Sequence, residues 1–192
     1  RNVCEGVTVL GGRAGYCGCV GRDREGRFFR ESLQEMGIRS AVVTERGRTG
    51  KILVLLTPDG ERTFAVDLGN SVRYNRVPKR ILRATRFLYL TSITIFAADR
   101  IGQAARMAME AVAEAGGKLA LSLESPPMVK EHKKEILELM GQIDTMFANE
   151  EEFRNLGIGI RKVAEKIGCF YLKLGRRGSV VRWGRHWARI PS

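Results

Sequence analysis

The chain has 192 residues, with 33 Lys and Arg against 21 Asp and Glu, a formal net charge of +12 and 44% hydrophobic residues; its mean hydropathy is −0.17. That length supports one ordinary core with a small appended subdomain. The longest apolar runs, such as ILVLL at 52–56, fall well short of the roughly 20 residues that cross a bilayer, and no charged-apolar-small signal opens the chain, so a cytoplasmic address without a membrane partner is expected.

Four cysteines, Cys4, Cys17, Cys19 and Cys169, are too few and too scattered for a secreted disulfide framework and read as small buried residues. The CGC pair at 17–19 has only His132 and His186 as histidine company and no second Cys pair, which is short of a zinc set. The positive charge draws polyanions in general. It is spread along the chain, dense only in GRDREGRFFR (21–30) and GRRGSVVRWGRHWAR (175–189). Arginines interleaved with Trp183 and Trp187 suit base stacking, and they also suit a two-faced edge hairpin. The hairpin is the preferred reading, and nucleic acid is disfavoured, because no nucleic-acid-binding motif accompanies the pattern.

In chain order, GGRAGYCGCVG (11–21) reads as a strand leading to a helix in which Phe29, Leu33 and Met36 share a face, with Asp23 near its start and Gly37 at its end. Residues 39–70 are β-rich: SAVVTE, KILVLLT and RTFAVDL, with TPDGER (57–62) offering Pro58 and Gly60 to a turn. They form a hairpin unit in this reading. From about residue 85, apolar runs alternate with helical patterns: RFLYLTSI, a helix over 99–115, KLALSL, a helix over 130–140, IDTMFA, a helical stretch over 150–167, and CFYLKL. In the first of these helices Ile101, Ala104, Ala105, Ala108, Val112 and Ala115 line one face, and Gly116 and Gly117 stop it. Strands joined by helices of this length run parallel and predict a sheet covered on both sides. The fold class is therefore α/β, a mainly parallel sheet flanked by helices, with a small β lid within about 39–70.

Ligands of such a sheet settle outside the carboxyl ends of the strands. Two segments fall there. Asn149 follows IDTMFA and opens a helix, so Asn149 with Glu152 makes a capping box. A cap needs one of the three glutamates at 150–152, and the surplus suits Mg2+, which takes one or two carboxylates and several waters. The second segment is KLGRRGS (173–179), where Gly175 and Gly178 let amides approach phosphate while Lys173, Arg176 and Arg177 bring charge. An ordinary β-turn is the alternative. No nucleophile triad is visible, and His132, on a lysine-rich face, reads as a solvated surface residue.

Read end to end, the chain resembles the ribokinase-like (PfkB) carbohydrate and nucleoside kinases. The matching segments are VGRDREGRFFRESLQEMGI (20–38), TGKILVLLTPDGERTF (49–64), DTMFANEEEF (144–153) and YLKLGRRGS (171–179). The stretches TPDGERT…LGNS and LESPPMVKEHKKEILELMGQIDTMFANEEE look like the adenosine-kinase branch. The resemblance implies ATP- and Mg2+-dependent phosphorylation of a hydroxyl, usually a CH2OH, of a nucleoside or sugar. It also implies roles. Asn149 and Glu152, at the N-x-x-E positions, order Mg2+ and phosphate through water. Gly175 and Gly178, with Lys173 before them and Arg177 between, border the ATP. Arg62, on the lid hairpin, approaches the phosphates, and Asn2 ends a Gly-Gly-x-x-x-Asn signature that contacts the sugar. Lids of some members pair, so a homodimer through the lid is one assembly it implies.

The signature's paired glycines would lie before Arg1, and the Gly-Ala-Gly-Asp motif, with the general base and anion hole, after Ser192. The expectation is a fragment, partial over 1–192, without measurable kinase activity of its own. The rival reading keeps the scaffold without chemistry: a basic protein that binds nucleic acid or senses a nucleoside. Glu124, in SLESPP (122–127), stands near the acceptor region in the resemblance and is read equally as solvent-facing.

Overall fold

The computed structural model describes residues 1–60, 62–97 and 99–192. They divide into two compact units: Arg1–Pro78 with Asp99–Ala104, and Lys79–Ala98 with Ala105–Ser192.

The first unit opens with helix α1 (Asn2–Val9), followed by β1 (Gly15–Gly21), α2 (Arg24–Glu35), β2 (Arg39–Glu45), β3 (Lys51–Leu56) and β4 (Arg62–Asp67). Helix α1 escaped the sequence reading because NVCEGVTV is rich in β-branched residues, and none of its residues is buried. Asp23 caps α2 by accepting from the Gly26 amide, and Gly37, at φ +67°, ends it, as the pattern required. Leu33 carries the buried face.

The hairpin is narrower than expected. β3 and β4 pair antiparallel by themselves around a turn in which the Gly60 amide donates to the Thr57 carbonyl at 2.9 Å. SAVVTE is not part of it: β2 runs parallel to β1, from Gly15 opposite Arg39 to Gly21 opposite Glu45. Propensity marks a strand but does not choose its partner, and here the intervening α2 makes a β-α-β crossover. Glu61 of the expected turn lies outside the described residues.

A polar knot closes the carboxyl ends of β1 and β2. Asp23 accepts from the Thr49 hydroxyl and the Thr49 and Gly26 amides, and the Thr49 hydroxyl accepts from the Gly21 amide at 2.9 Å. These bonds, led by the Thr49 hydroxyl, hold the Asp23 carboxyl down at about 2. Asn70, buried, donates to the carbonyls of Val20, Glu45 and Arg46. Glycine is required at Gly26, where a Cβ would collide with the Gly21 carbonyl. A small core of Cys19, Tyr74 and Ala104, with Cys17, Val77 and Ile101 against it, fills this unit. Of the four free thiols only Cys19 is fully buried, and Cys4, Cys17 and Cys169 are half-covered, which corrects the reading of all four as interior residues.

The second unit is built on a six-stranded sheet in the order β10-β9-β8-β7-β6-β5. Its elements are α3 (Lys79–Arg83), β5 (Phe87–Thr91), α4 (Ser92–Ile95), α5 (Arg100–Glu114), whose last ten residues fall here, β6 (Lys118–Ser122), α6 (Pro126–Glu131), α7 (Lys133–Leu139), β7 (Thr145–Asn149), α8 (Glu150–Leu156), α9 (Ile160–Lys166), β8 (Cys169–Lys173), β9 (Ser179–Trp183) and β10 (His186–Ile190). β5 to β8 are parallel, and β9 and β10 return antiparallel as an edge hairpin. The alternation from residue 85 onward thus gives the parallel sheet the periodicity predicted.

Three details differ. The helix expected over 130–140 breaks at His132, between α6 and α7, and the one over 150–167 breaks at Gly157, which caps α8 in the left-handed region at φ +60°. On α5 the residues Ala104, Ala105, Ala108 and Val112 are buried with Met109, whereas Ala115 is exposed beside the Gly116 stop. His132 is no free surface residue: its ring stacks on Phe96 at 4.6 Å, with Nδ1 3.2 Å from Glu135.

The sheet is also covered unequally. Leu119, Leu121, Met146, Ala148 and Phe170 occupy one face and are buried. Tyr89, Phe147 and Tyr171 occupy the other and are half-buried, with Phe147 stacked on Tyr171 at 4.9 Å. Successive right-handed crossovers that all step in one direction place their helices on one side, so two-sided cover does not follow from alternation alone.

Candidate active site

Because β6, β7 and β8 are parallel, their carboxyl ends share one edge. Asn149, the last residue of β7, stands opposite Lys173, the last residue of β8. The two segments singled out in the sequence are thus neighbours across a single strand spacing.

Asn149 leaves the strand with extended backbone, φ −93° and ψ 177°, and its side-chain oxygen accepts from the Glu152 amide at 2.8 Å. Glu152 answers twice. Its Oε2 accepts from the Asn149 amide at 2.8 Å and its Oε1 from Asn149 Nδ2 at 2.7 Å. The capping box is complete, with the extra Nδ2 bond fixing the Asn149 amide group as well. Glu152 is 2% exposed, so a carboxylate is held at the strand ends with one hydrogen bond to each oxygen and a further lone pair on each.

The glycine-bounded turn adds charge. Gly175–Arg177 form one 3-10 turn; the Arg177 amide donates to the Leu174 carbonyl, the Gly178 amide to the Gly175 carbonyl and the Leu174 amide to the Gly178 carbonyl. Those three amides are spent within the turn, which leaves the Gly175 and Arg176 amides at its start and the side chains of Lys173, Arg176 and Arg177 as what it presents to an anion. Gly178, at φ +81°, is dictated by packing: a Cβ there would strike the Ile190 carbonyl and the Pro191 backbone. Arg177 forms an ion pair with Glu150, tying the turn to the first turn of α8. A shallow depression of about 310 Å3, lined by Arg176, Arg177, Arg189, Pro191 and Ser192, borders the turn.

Glu124 joins this edge. It follows β6 with φ +46°, a left-handed conformation that a non-glycine residue holds at a cost. Tyr89 donates its hydroxyl to Glu124 Oε1 at 3.2 Å. Burial pushes the Glu124 carboxyl up, the Tyr89 bond and Lys173 pull it down, and the Glu152 carboxylate pushes it up again. Glu124 therefore lies within the field of Glu152 and Lys173 while its side chain stays exposed, so the solvent-facing reading holds alongside its place at this edge. Tyr89 was not singled out at all. The available signal was a carboxylate placed directly after a parallel strand and ahead of Pro126 and Pro127.

Asn2 and Arg62 belong to the other unit. Asn2 is the exposed first residue of α1, and Arg62 is the exposed first residue of β4, opposite Leu56.

Among the described residues no group of three His, Cys, Asp or Glu side chains converges as a metal cage. Two carboxylates at hydrogen-bond-anchored positions suit Mg2+, which keeps most of its waters and takes few protein oxygens. Glu152 and Glu124 are the residues that fit it.

A family model described as pfkB family carbohydrate kinase matches residues 1–167. A fructokinase of Salmonella typhimurium is 27% identical over 179 residues, which are 86% of this chain and 58% of the relative. The crystal structure of adenosine kinase from Sinorhizobium meliloti superposes with a TM-score of 0.90 at 26% identity, covering all of this chain and 62% of the other. A fructokinase from Xylella fastidiosa with bound ATP has the same fold, with a TM-score of 0.83 at 18% identity over 99% of this chain and 66% of that one. The chain thus spans about three fifths of the length of these proteins.

The raised Glu124 carboxyl has a consequence in solution. A group whose folded-state value lies above its unfolded one contributes stability that is full below the unfolded value and lost as pH rises through the folded one. Because Glu124 is exposed and its charge is screened by solvent, Glu124→Gln, which keeps the acceptor for Tyr89, is expected to raise Tm only slightly at pH 7–8, with the gain vanishing near pH 4. Thermal melts by circular dichroism across that range check it, and a gain independent of pH contradicts it.

Proposed function

The chain belongs to the pfkB family of carbohydrate kinases, and on that premise we propose that the protein carrying it transfers the γ-phosphoryl group of ATP to a hydroxyl of a sugar or nucleoside. The observation that carries the reading is the pairing of Asn149 with Lys173 at the ends of adjacent parallel strands. A buried, doubly bonded carboxylate and a cluster of cations then border one patch of space.

Phosphoryl transfer asks the protein for positioning and charge more than for covalent chemistry. Lys173 and Arg177 attract the phosphates, while the Gly175–Gly178 turn shapes the border of the nucleotide. Asn149 holds the Glu152 carboxylate in one orientation, and Glu152, with Glu124, orients the waters of a magnesium ion. Bound Mg2+ would supply neutralisation of charge on the phosphate oxygens. That a fructokinase of like fold has been solved with bound ATP supports ATP as the nucleotide. For Asn2 at the acceptor and Arg62 at the phosphates, the proposal rests on the resemblance of their segments alone. The acceptor is a nucleoside in the reading from TPDGERT…LGNS and a hexose in the reading from the fructokinase relative.

Release of ADP from the gene product carrying this chain, measured with adenosine and with fructose as acceptors, tests the function. Turnover with one of them is expected. Glu152→Gln should raise the Mg2+ concentration for half-maximal rate by about ten-fold or more. Unchanged magnesium dependence would reduce Glu152 to a helix cap, and tight binding of ATP and adenosine without turnover would make the protein a sensor.

The β3–β4 hairpin supports a homodimer through the lid. Ile52, Val54 and Leu56 share a face with Phe64 and Val66, all 42–70% exposed, and a two-stranded hairpin of this kind is marginal unless covered. Sedimentation velocity should show a dimer that Phe64→Asp converts to monomer; a monomeric parent chain contradicts the pairing.

A further inference from the structure

A second concentration of positive charge lies on the helix-covered face of the six-stranded sheet. A depression of about 340 Å3 is lined by Arg161, Ala164 and Glu165 of α9 and by Arg182, Arg185 and Trp187 of the β9–β10 hairpin. Register explains the grouping. Arg182 stands opposite Trp187 across the hairpin and opposite Phe170 of β8, so all three side chains share the face against which α9 packs.

Lys173 is three residues beyond Phe170 and, by strand alternation, on the other face. At about 3.3 Å per residue it is also displaced by about 10 Å along the strand. This depression is therefore separate from the site at the ends of β7 and β8.

Its contents are unusual for an ordinary solvated surface. Three arginines and one acidic residue, Glu165, line it, and among the described residues none of the three arginines forms an ion pair. Converging like charges repel unless an anion joins them. Arg182 is held in place by donating to the Ile167 carbonyl at 2.7 Å, so one cation is fixed before any ligand arrives. Trp187 is 47% exposed. An exposed indole offers a flat ring, and guanidinium groups match phosphate oxygens in a bidentate way and stack on aromatic faces.

We propose that this depression is a second ligand site that takes a nucleoside phosphate, the base stacking on Trp187 and the phosphate held by Arg161, Arg182 and Arg185. Glu165 is placed to accept from an amino group or hydroxyl of the same ligand. The chemistry is shared by a free nucleotide and by the phosphorylated end of a single-stranded nucleic acid. It does not depend on the kinase reading.

The test uses Trp183→Phe in the chain of residues 1–192, which leaves Trp187 as the sole tryptophan of those residues. AMP, adenosine, inorganic phosphate and a 5′-phosphorylated oligonucleotide are titrated against its fluorescence. AMP is expected to quench saturably, with adenosine or phosphate alone weaker by about ten-fold or more, the loss of one charged contact set. Arg161→Ala with Arg185→Ala should weaken AMP by a similar factor without shifting the thermal melt, and Lys173→Ala should leave the quench unchanged. Both remaining arms support the site and identify its source: tighter binding of the oligonucleotide assigns it to nucleic-acid ends, equal or weaker binding to free nucleotide. No saturable quench, a quench indifferent to the two arginine substitutions, or one abolished by Lys173→Ala overturns the proposal.

Discussion

Glu152 accepts two hydrogen bonds from a single residue, the amide and the side chain of Asn149, and returns one through its own backbone. A buried carboxylate is costly unless its oxygens are satisfied. Here the satisfying residue is the last of a central strand, and it is registered against Lys173 on the next strand. Cap, strand end and neighbouring cation are thus one constraint: moving Asn149 would unseat the helix, expose the acid and separate it from the lysine. The Glu150–Arg177 ion pair then draws the glycine-bounded turn to the same place.

Acidic and basic groups at this edge act on one another without cancelling. Glu124 feels Lys173 and Glu152 in opposite senses, and burial outweighs both. A site with a carboxyl raised in this way, a fixed carboxylate and exposed cations is suited to a ligand that carries both phosphate and a divalent metal. The first unit solves a different problem. Its polar knot of Asp23, Thr49 and Asn70 secures crossing backbones that approach too closely for side chains, with glycine at the contacts.

Much of this was legible in the sequence because it is local. The Asn149–Glu152 cap, the Asp23 start and Gly37 stop of α2, and the hairpin turn at Thr57–Gly60 each depend on residues a few positions apart. The β-α alternation beyond residue 85 was legible for the same reason, since hydrophobic period is a local property. What was not legible is set by partners distant in the chain. SAVVTE pairs with β1 rather than with β3, and Gly178 is fixed by Ile190 and Pro191 rather than by a ligand. Tyr89 meets Glu124 across 35 positions, and only the sheet's register reveals it. The breaks at His132 and Gly157 are a middle case, where the helical period continues while the backbone turns.

The most direct test of the central claim, that one nucleotide is gripped jointly by the cap and the glycine-bounded turn, is hydrogen exchange of this chain with and without MgATP. Slower exchange is expected in residues 149–153 and 174–179 together, greater with magnesium than with ATP alone. Protection of one segment without the other, or of neither at saturating MgATP, would contradict it.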